Sequence, residues 1–351
     1  MARRQRQPRR YPANIERQYA DACSAAAAQE WRGLSERILS GYSKALGPRA
    51  DASVDGTHRT IPGSLSGVLE GVGIEYGRRM ERRGERLPMV PGRSAADYAA
   101  ETVDGQLGAV IGIRPLDSEP WLNPAVDAWR GSNTALISGL APRHMEDVDA
   151  LVRQAWESGT RAETLAKQLQ ERLGITERRA ALIARDQIGK LNGQLTMLRQ
   201  QSYGVGAYIW ATSMDERVRQ VHADRDGRRF PWATPPPDGH PGMPIQCRCV
   251  AEPDLDDALE ELERLGEEEL PQRPPPEPVI EESIRTLGEW APSPSQVDAW
   301  VELAIAGVRA LQDDELADWE RGAAAFRVAQ RAGRRGRPPR PIRFGRPPAR
   351  T

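Results

Sequence analysis

The sequence predicts a mainly α protein with a small β-hairpin (α+β). Extended helices flank a compact C-terminal Cys/His loop unit, and both ends are basic and disordered. Three observations lead there. Apolar residues recur at helical spacing in blocks between Asn14 and Ser202. One alternating, β-rich run stands at Ala207–Thr212, followed by an Asp226-Gly227 turn signal. The chain ends are built from Arg, Pro and Gly, which bury too little apolar surface to fold alone.

Taken in order, Asn14–Leu46 reads as one helix. Ile15, Tyr19, Ala22, Ala26, Trp31, Leu34, Ile38 and Tyr42 form its apolar stripe, and Gly47-Pro48 stops it. Residues 51–120 are Gly-rich and weakly periodic. They read as irregular, with a helix near Leu65–Arg83. Order returns at Trp121. Asn123–Leu140 and Met145–Glu157 each present an apolar face, and Ser158-Gly159 ends the second. Thr160–Leu173 reads as a short helix with Thr160 and Glu163 at capping-box spacing, closed by Gly174. Thr176 then caps a long helix from Glu177 to about Ser202. A strand follows at Ala207–Thr212. Ser213 and Glu216 cap a short helix over Asp215–Ala223, and Arg228–Trp232 pairs back as the second strand of the hairpin. Pro235–Cys249 is a loop. Asp254–Leu270 is either an acidic helix or disordered, and Pro271–Pro278 is a linker. A second helical patch is expected at Gln296–Ala325.

Four segments follow from this reading: a helical and irregular N-terminal region (1–120), a central domain (121–254), an acidic and Pro-rich linker with a helical patch (255–330), and an Arg/Pro-rich tail (331–351). Charge is strongly asymmetric although the net value is −1. Arg3, Arg4, Arg6, Arg9 and Arg10 open the chain without an acid, whereas Glu252–Glu282 is rich in carboxylates. Such ends suit polyanions or acidic protein faces, or serve as plain solvated surface.

Three cysteines, Cys23, Cys247 and Cys249, are too few for a disulfide framework. The start carries no apolar run, and no stretch reaches the ~18 apolar residues that cross a bilayer. A soluble protein made in a reducing cytoplasm is expected.

Motif-like residues are densest in one stretch. Ala184-Arg185-Asp186-Gln187 lies on the long helix. Gly206-x-Tyr208-x-Trp210-x-Thr212 forms the strand, and Asp215-x-Arg217-Val218-Arg219-x-x-His222 follows it. The stretch closes on His240-Pro241-Gly242-x-Pro244-x-x-Cys247-Arg248-Cys249. This series, spanning roughly residues 125–253, resembles the phage Mu F-like, head-morphogenesis family of minor head (minor capsid) proteins of tailed bacteriophages. The order and spacing of the pieces, with the closing Cys-Arg-Cys, carry the resemblance. Arg185, Trp210, Asp215 and Arg217 are its structural motif residues. The resemblance implies a non-enzymatic virion component, located in the head interior or at the portal vertex and assembled in the host cytoplasm. It would bind the portal protein, and a major capsid or scaffolding protein, and touch packaged DNA without sequence preference. It would assist capsid assembly, packaging or delivery.

Two imidazoles and two thiols, His222, His240, Cys247 and Cys249, are ligand types for a closed structural zinc site. The bland alternative is that the Cys pair packs as small hydrophobes and His222 as a core histidine. A nuclease or thiol hydrolase is disfavoured. No helix start precedes Cys-Arg-Cys to lower a thiol pKa, and Asp215, His222 and Asp226 read equally as cap, packing and turn residues. Arg185 and Asp186 are expected to tether the Tyr-x-Trp strand. The better nucleic-acid candidate is the tail, where Arg334, Arg335, Arg337, Arg340 and Arg343 are spaced by Gly and Pro with Phe344 among them. A zinc-stapled DNA-binding protein and a phage nuclease remain the competing classes.

Overall fold

The computed structural model describes residues 11–46, 60–111, 116, 118–213, 218–265 and 272–289. Among them the chain is mostly helical, with one three-stranded antiparallel sheet. The expected tail and the helical patch at Gln296–Ala325 lie outside the described residues.

The first expected helix is two. α1 (Ala13–Trp31) and α2 (Leu34–Leu46) are separated at Gly33, whose φ of +78° no helix interior tolerates. The stripe is continuous in sequence, but the break lets both helices bury it: Tyr19, Cys23 and Trp31 from α1, and Leu34, Ile38 and Tyr42 from α2. In the region expected to be largely irregular, the helix expected near Leu65–Arg83 is present as α3 (Gly63–Arg86), and a second long helix that was not expected, α4 (Met89–Ile111), follows it. Their glycines explain the weak periodicity and part of the packing. A Cβ on Gly84 would meet Ser138 Oγ at 2.6 Å, and one on Gly92 would meet the Trp129 ring at 2.8 Å. Glycine therefore lets these helices approach α5 (Leu122–Ser138) closely.

α6 (Leu140–Glu157) follows, and then α7 (Ala162–Ser202) as a single helix of 41 residues. The expected stop at Gly174 is absent. Thr176 does not cap a new helix: it is buried mid-helix, its hydroxyl 2.8 Å from His144 Nδ1 and within reach of the Arg172 carbonyl. Nor does Thr160 cap α7, whose N-cap residue is Arg161 with no side-chain cap bond. Tertiary burial overrides the local stop signal, because α7 is the central element of the larger unit.

From Asp186 to Gln200 almost every α7 residue is buried, polar ones included. A helix buried on all sides must satisfy its polar groups internally. One network does this across three helices. Trp129 Nε1 donates to the Gln187 carbonyl at 2.9 Å, and Asn133 Nδ2 donates to Gln187 Oε1 at 3.1 Å. Tyr19 Oη donates to Asn133 Oδ1 at 3.0 Å.

The sheet has the order β2-β1-β3. β1 (Ala207–Ala211) pairs antiparallel with β2 (Arg229–Pro231), as the hairpin reading expects. It also pairs with β3 (Val250–Pro253), a strand that sequence patterning does not reveal. Short α8 (Gln220–Ala223) lies between β1 and β2. The acidic segment after β3 is helical as α9 (Leu255–Leu265), and α10 (Glu277–Glu289) begins inside the expected linker. Pro278 falls at the very start of α10, where its missing N–H removes no helical bond.

By internal contacts the larger unit takes in residues 1–213 and 225–291. The other takes in 214–224 and 292–351, of which only 218–224, with α8, are described. No described helix is long and apolar enough to cross a membrane.

Candidate metal centre and its supports

β1 positions the aromatic part of the site. Tyr208 and Trp210 are fully buried with Trp232, Met197, Ala251, Cys247 and Cys249 in a small cluster of their own. Trp232 lies 4.3 Å from the Tyr208 ring centroid. The Arg225 guanidinium stacks 4.9 Å over Trp210 and pairs with Asp238 at 2.5 Å. Trp210 is thus the sheet's core anchor, as the alternating run predicts.

The chain leaves the sheet after β1 and returns at a closed neck. Thr212 donates through both its N–H (2.9 Å) and its hydroxyl (3.0 Å) to Asp226 Oδ1. Gly227, at φ +77°, returns its N–H to the Trp210 carbonyl at 2.8 Å. Asp226-Gly227 is therefore the expected turn, and its carboxylate holds the neck. Within the excursion α8 carries His222, whose N–H donates to the Arg219 carbonyl at 2.9 Å. Asp215 and Arg217 lie outside the described residues.

His222, Cys247 and Cys249 form a group able to hold a metal ion. All three are buried, and their ligand atoms lie within 4.8 Å of one another. One imidazole and two sulfurs are a borderline-soft donor set that fits zinc, and three donors leave one position of a tetrahedron. His240, the fourth residue expected, lies outside this group. Its Nδ1 is 2.9 Å from the Tyr208 hydroxyl, and its ring packs against Trp232 at 4.9 Å. Burial lowers the His240 pKa to about 4, partly offset by a backbone hydrogen bond at Trp232, so the ring is neutral at pH 7. A Pro-rich loop gave no sequence sign of that aromatic cage.

The loop bearing Cys247 is held by α7. Asp186 Oδ1 accepts the Gln246 backbone N–H at 2.8 Å, and Gln246 Nε2 donates to the Leu182 carbonyl at 2.6 Å. Lys190 Nζ donates to both Asp186 oxygens at 2.8 Å. Burial pushes the Asp186 carboxyl up, while the Lys190 charge and the donated hydrogen bonds pull it back down. The loop backbone also lies directly on Gly189 and Gly193. A Cβ there would stand 3.0 Å from the Cys247 carbonyl and 2.5 Å from the Pro241 carbonyl, respectively.

These bonds change the expected role of the Ala184-Arg185-Asp186-Gln187 motif. It does not tether the Tyr-x-Trp strand. Arg185 is exposed and reaches Glu16 of α1 at 3.6 Å. Asp186 holds the Cys loop, and Gln187 joins the helical network. Successive helical residues diverge by about 100°, so three neighbours serve three different partners. The sheet is tethered four turns further on. Gln200 Nε2 donates to the Ala251 carbonyl of β3 at 2.9 Å, and Gln200 Oε1 accepts from Trp232 Nε1 at 3.1 Å. Sequence reasoning missed Gln200, Lys190 and Gln246. The readable signal was the Gly189-x-x-x-Gly193 spacing, which lays two small residues on one helix face.

Arg334, Arg335, Arg337, Arg340 and Arg343 lie outside the described residues. Cys23 is remote from the site in sequence and fully buried in the helical core. Burial pushes its thiol up to about 12, which leaves it inert at neutral pH.

An uncharacterized protein of Haemophilus influenzae is 41% identical over 142 residues, 40% of this chain and 32% of that protein. The chain thus spans about a third of the length of the curated relative it matches. No solved structure matches it at a significant level. The family described as phage Mu protein F like protein matches residues 146–252, from α6 through the neck and the Cys loop into β3. Over residues 146–252 this chain is therefore similar to the phage Mu protein F like family.

Proposed function

We propose that this protein is a non-enzymatic minor head protein of a tailed phage, present in the virion at the head interior or portal vertex. In this reading the segment 121–254 acts as the head-morphogenesis domain and binds the portal protein, with a major capsid or scaffolding protein as a further partner. The Arg-rich tail touches packaged DNA through phosphate alone. The observation that carries the reading is the family match over 146–252, which spans the buried motif residues of α7 and β1 and the Cys loop.

A structural zinc ion held by His222, Cys247 and Cys249 completes the domain. The donor types suit zinc, and a bound ion would order a loop-rich segment as it folds. His240 acts on the loop by packing.

The test is co-purification. Tagged full-length protein co-expressed with the head genes of its phage is expected to retain the portal protein and to be present in purified heads. Absence from both, with degradation of plasmid DNA in Mg²⁺ or Zn²⁺ that is lost in His222→Ala, would replace this reading by a nuclease. Absence from both with DNA binding alone would leave a zinc-stapled DNA-binding protein.

A further inference from the structure

We propose that Asp186 is the positioning residue of Cys247: its carboxylate, neutralised by Lys190, holds the Gln246 backbone so that Cys247 is presented at the metal group. This inference rests on the metal reading above only for what Cys247 is presented to.

Gln246 has φ +55°, the sole left-handed non-glycine among the described residues. That conformation is unfavourable for an L-residue, so it persists only where neighbours over-determine it. Two bonds on α7 do so. The Gln246 N–H meets Asp186 Oδ1 at 2.8 Å, and its side-chain amide meets the Leu182 carbonyl at 2.6 Å. On the far side, the Cys247 N–H closes a turn onto the Pro244 carbonyl at 2.9 Å, while the Cys247 carbonyl rests over Gly189. Cys247 is therefore held through the preceding residue and through its own backbone.

Asp186 and Lys190 have almost no exposed surface, with side chains 1% and 2% accessible. A buried ion pair of this kind is weak as a stabiliser against a well-packed apolar pair of similar size. What an apolar pair cannot do is accept the Gln246 N–H. That acceptor is the specific contribution of Asp186, and Lys190 is the counter-charge that makes a buried carboxylate tolerable.

Two double variants of the full chain separate the acceptor from the charge. Asp186→Ala with Lys190→Met removes the acceptor without stranding an ammonium. Asp186→Asn with Lys190→Met keeps a carbonyl acceptor in an uncharged pair. Co²⁺ binding is read from thiolate-to-cobalt absorption, and the alkylation rate of Cys247 without metal is read by mass spectrometry against Cys23. The Ala/Met variant is expected to bind Co²⁺ about 10–100-fold more weakly than the wild type and to alkylate faster at Cys247. The Asn/Met variant should recover most of both. In the wild type the Gln246 amide hydrogen should exchange slowly, a measurement that needs no variant. Equal behaviour of the two double variants, or fast exchange at Gln246, overturns the proposal. Failure of the wild type to bind Co²⁺ removes the metal reading instead, and the alkylation and exchange readouts still decide the role of Asp186.

Discussion

Gly193 of α7 faces the carbonyl of Pro241 so closely that a Cβ on it would stand 2.5 Å from that oxygen. The Cys loop thus lies backbone-to-backbone on the central helix. This close approach explains a glycine where helix propensity disfavours one by about 1 kcal/mol.

Gly193→Ala is accordingly expected to destabilise the protein by about 1–3 kcal/mol, because the obstacle is backbone and cannot rotate away. Gly77→Ala in α3 should do the reverse. Nothing lies within 4 Å of its added Cβ, so the gain in propensity, up to about 1 kcal/mol, is unopposed. Urea denaturation of both variants gives the two signs.

Gln200→Ala should cost about 2–3 kcal/mol. It leaves two buried partners, the Ala251 carbonyl and Trp232 Nε1, without their bonds. The near-ultraviolet dichroism of Trp232 should change while far-ultraviolet helicity persists. An unchanged midpoint of denaturation would show that the sheet is held to α7 by apolar packing alone.

His144 sets an acid limit on stability. Burial among Trp31 and Tyr76, and then the charges of Arg179 and Arg172, lower its pKa to about 4 from the ordinary 6.5. Its unfolded form therefore binds the proton more readily than its folded form. The resulting stability is complete above pH 6.5 and is lost as the pH falls towards 4, a change of about 3 kcal/mol. His144→Phe, which leaves the Thr176 hydroxyl its Arg172 carbonyl partner, should flatten that part of the profile. His240, lowered to about 4 as well, adds a second component in the same window.

Purified protein is expected to carry one zinc per chain. Cys247→Ser, Cys249→Ser and His222→Ala should each lose it, and a strong chelator should lower the wild-type melting temperature but not that of the variants. Metal-free wild-type protein with a chelator-insensitive melt would leave the two thiols as packing groups of the Trp210 cluster.

Removal of residues 333–351 takes away seven arginines, Arg334, Arg335, Arg337, Arg340, Arg343, Arg346 and Arg350. Affinity for random-sequence DNA should fall, and the slope of log affinity against log salt should become shallower by about 0.9 for each phosphate no longer neutralised. An unchanged slope would place the DNA-binding groups elsewhere in the chain.

Much of this molecule was legible in its sequence because the signals are local. The α+β class, strand β1 with Trp210 as anchor, the Asp226-Gly227 turn and the pairing of β2 follow from periodicity and turn chemistry within a few residues. The residue types of His222, Cys247 and Cys249 are legible too, but their approach to within 4.8 Å of one another is not. The continuity of α7 through Gly174, helix α4 in the Gly-rich region, strand β3 and the place of His240 were decided by tertiary structure. Each depends on surfaces distant in the chain. Gly84 and Gly92 read as helix breakers until α5 lies against them, and Val250–Pro253 is too short to read as a strand until β1 supplies its hydrogen bonds. Asp186 shows the difference most plainly. Its sequence places a carboxylate on a helix, and only the fold, by burying it beside Lys190 and delivering the Gln246 N–H to it, makes that carboxylate the hold on the Cys loop.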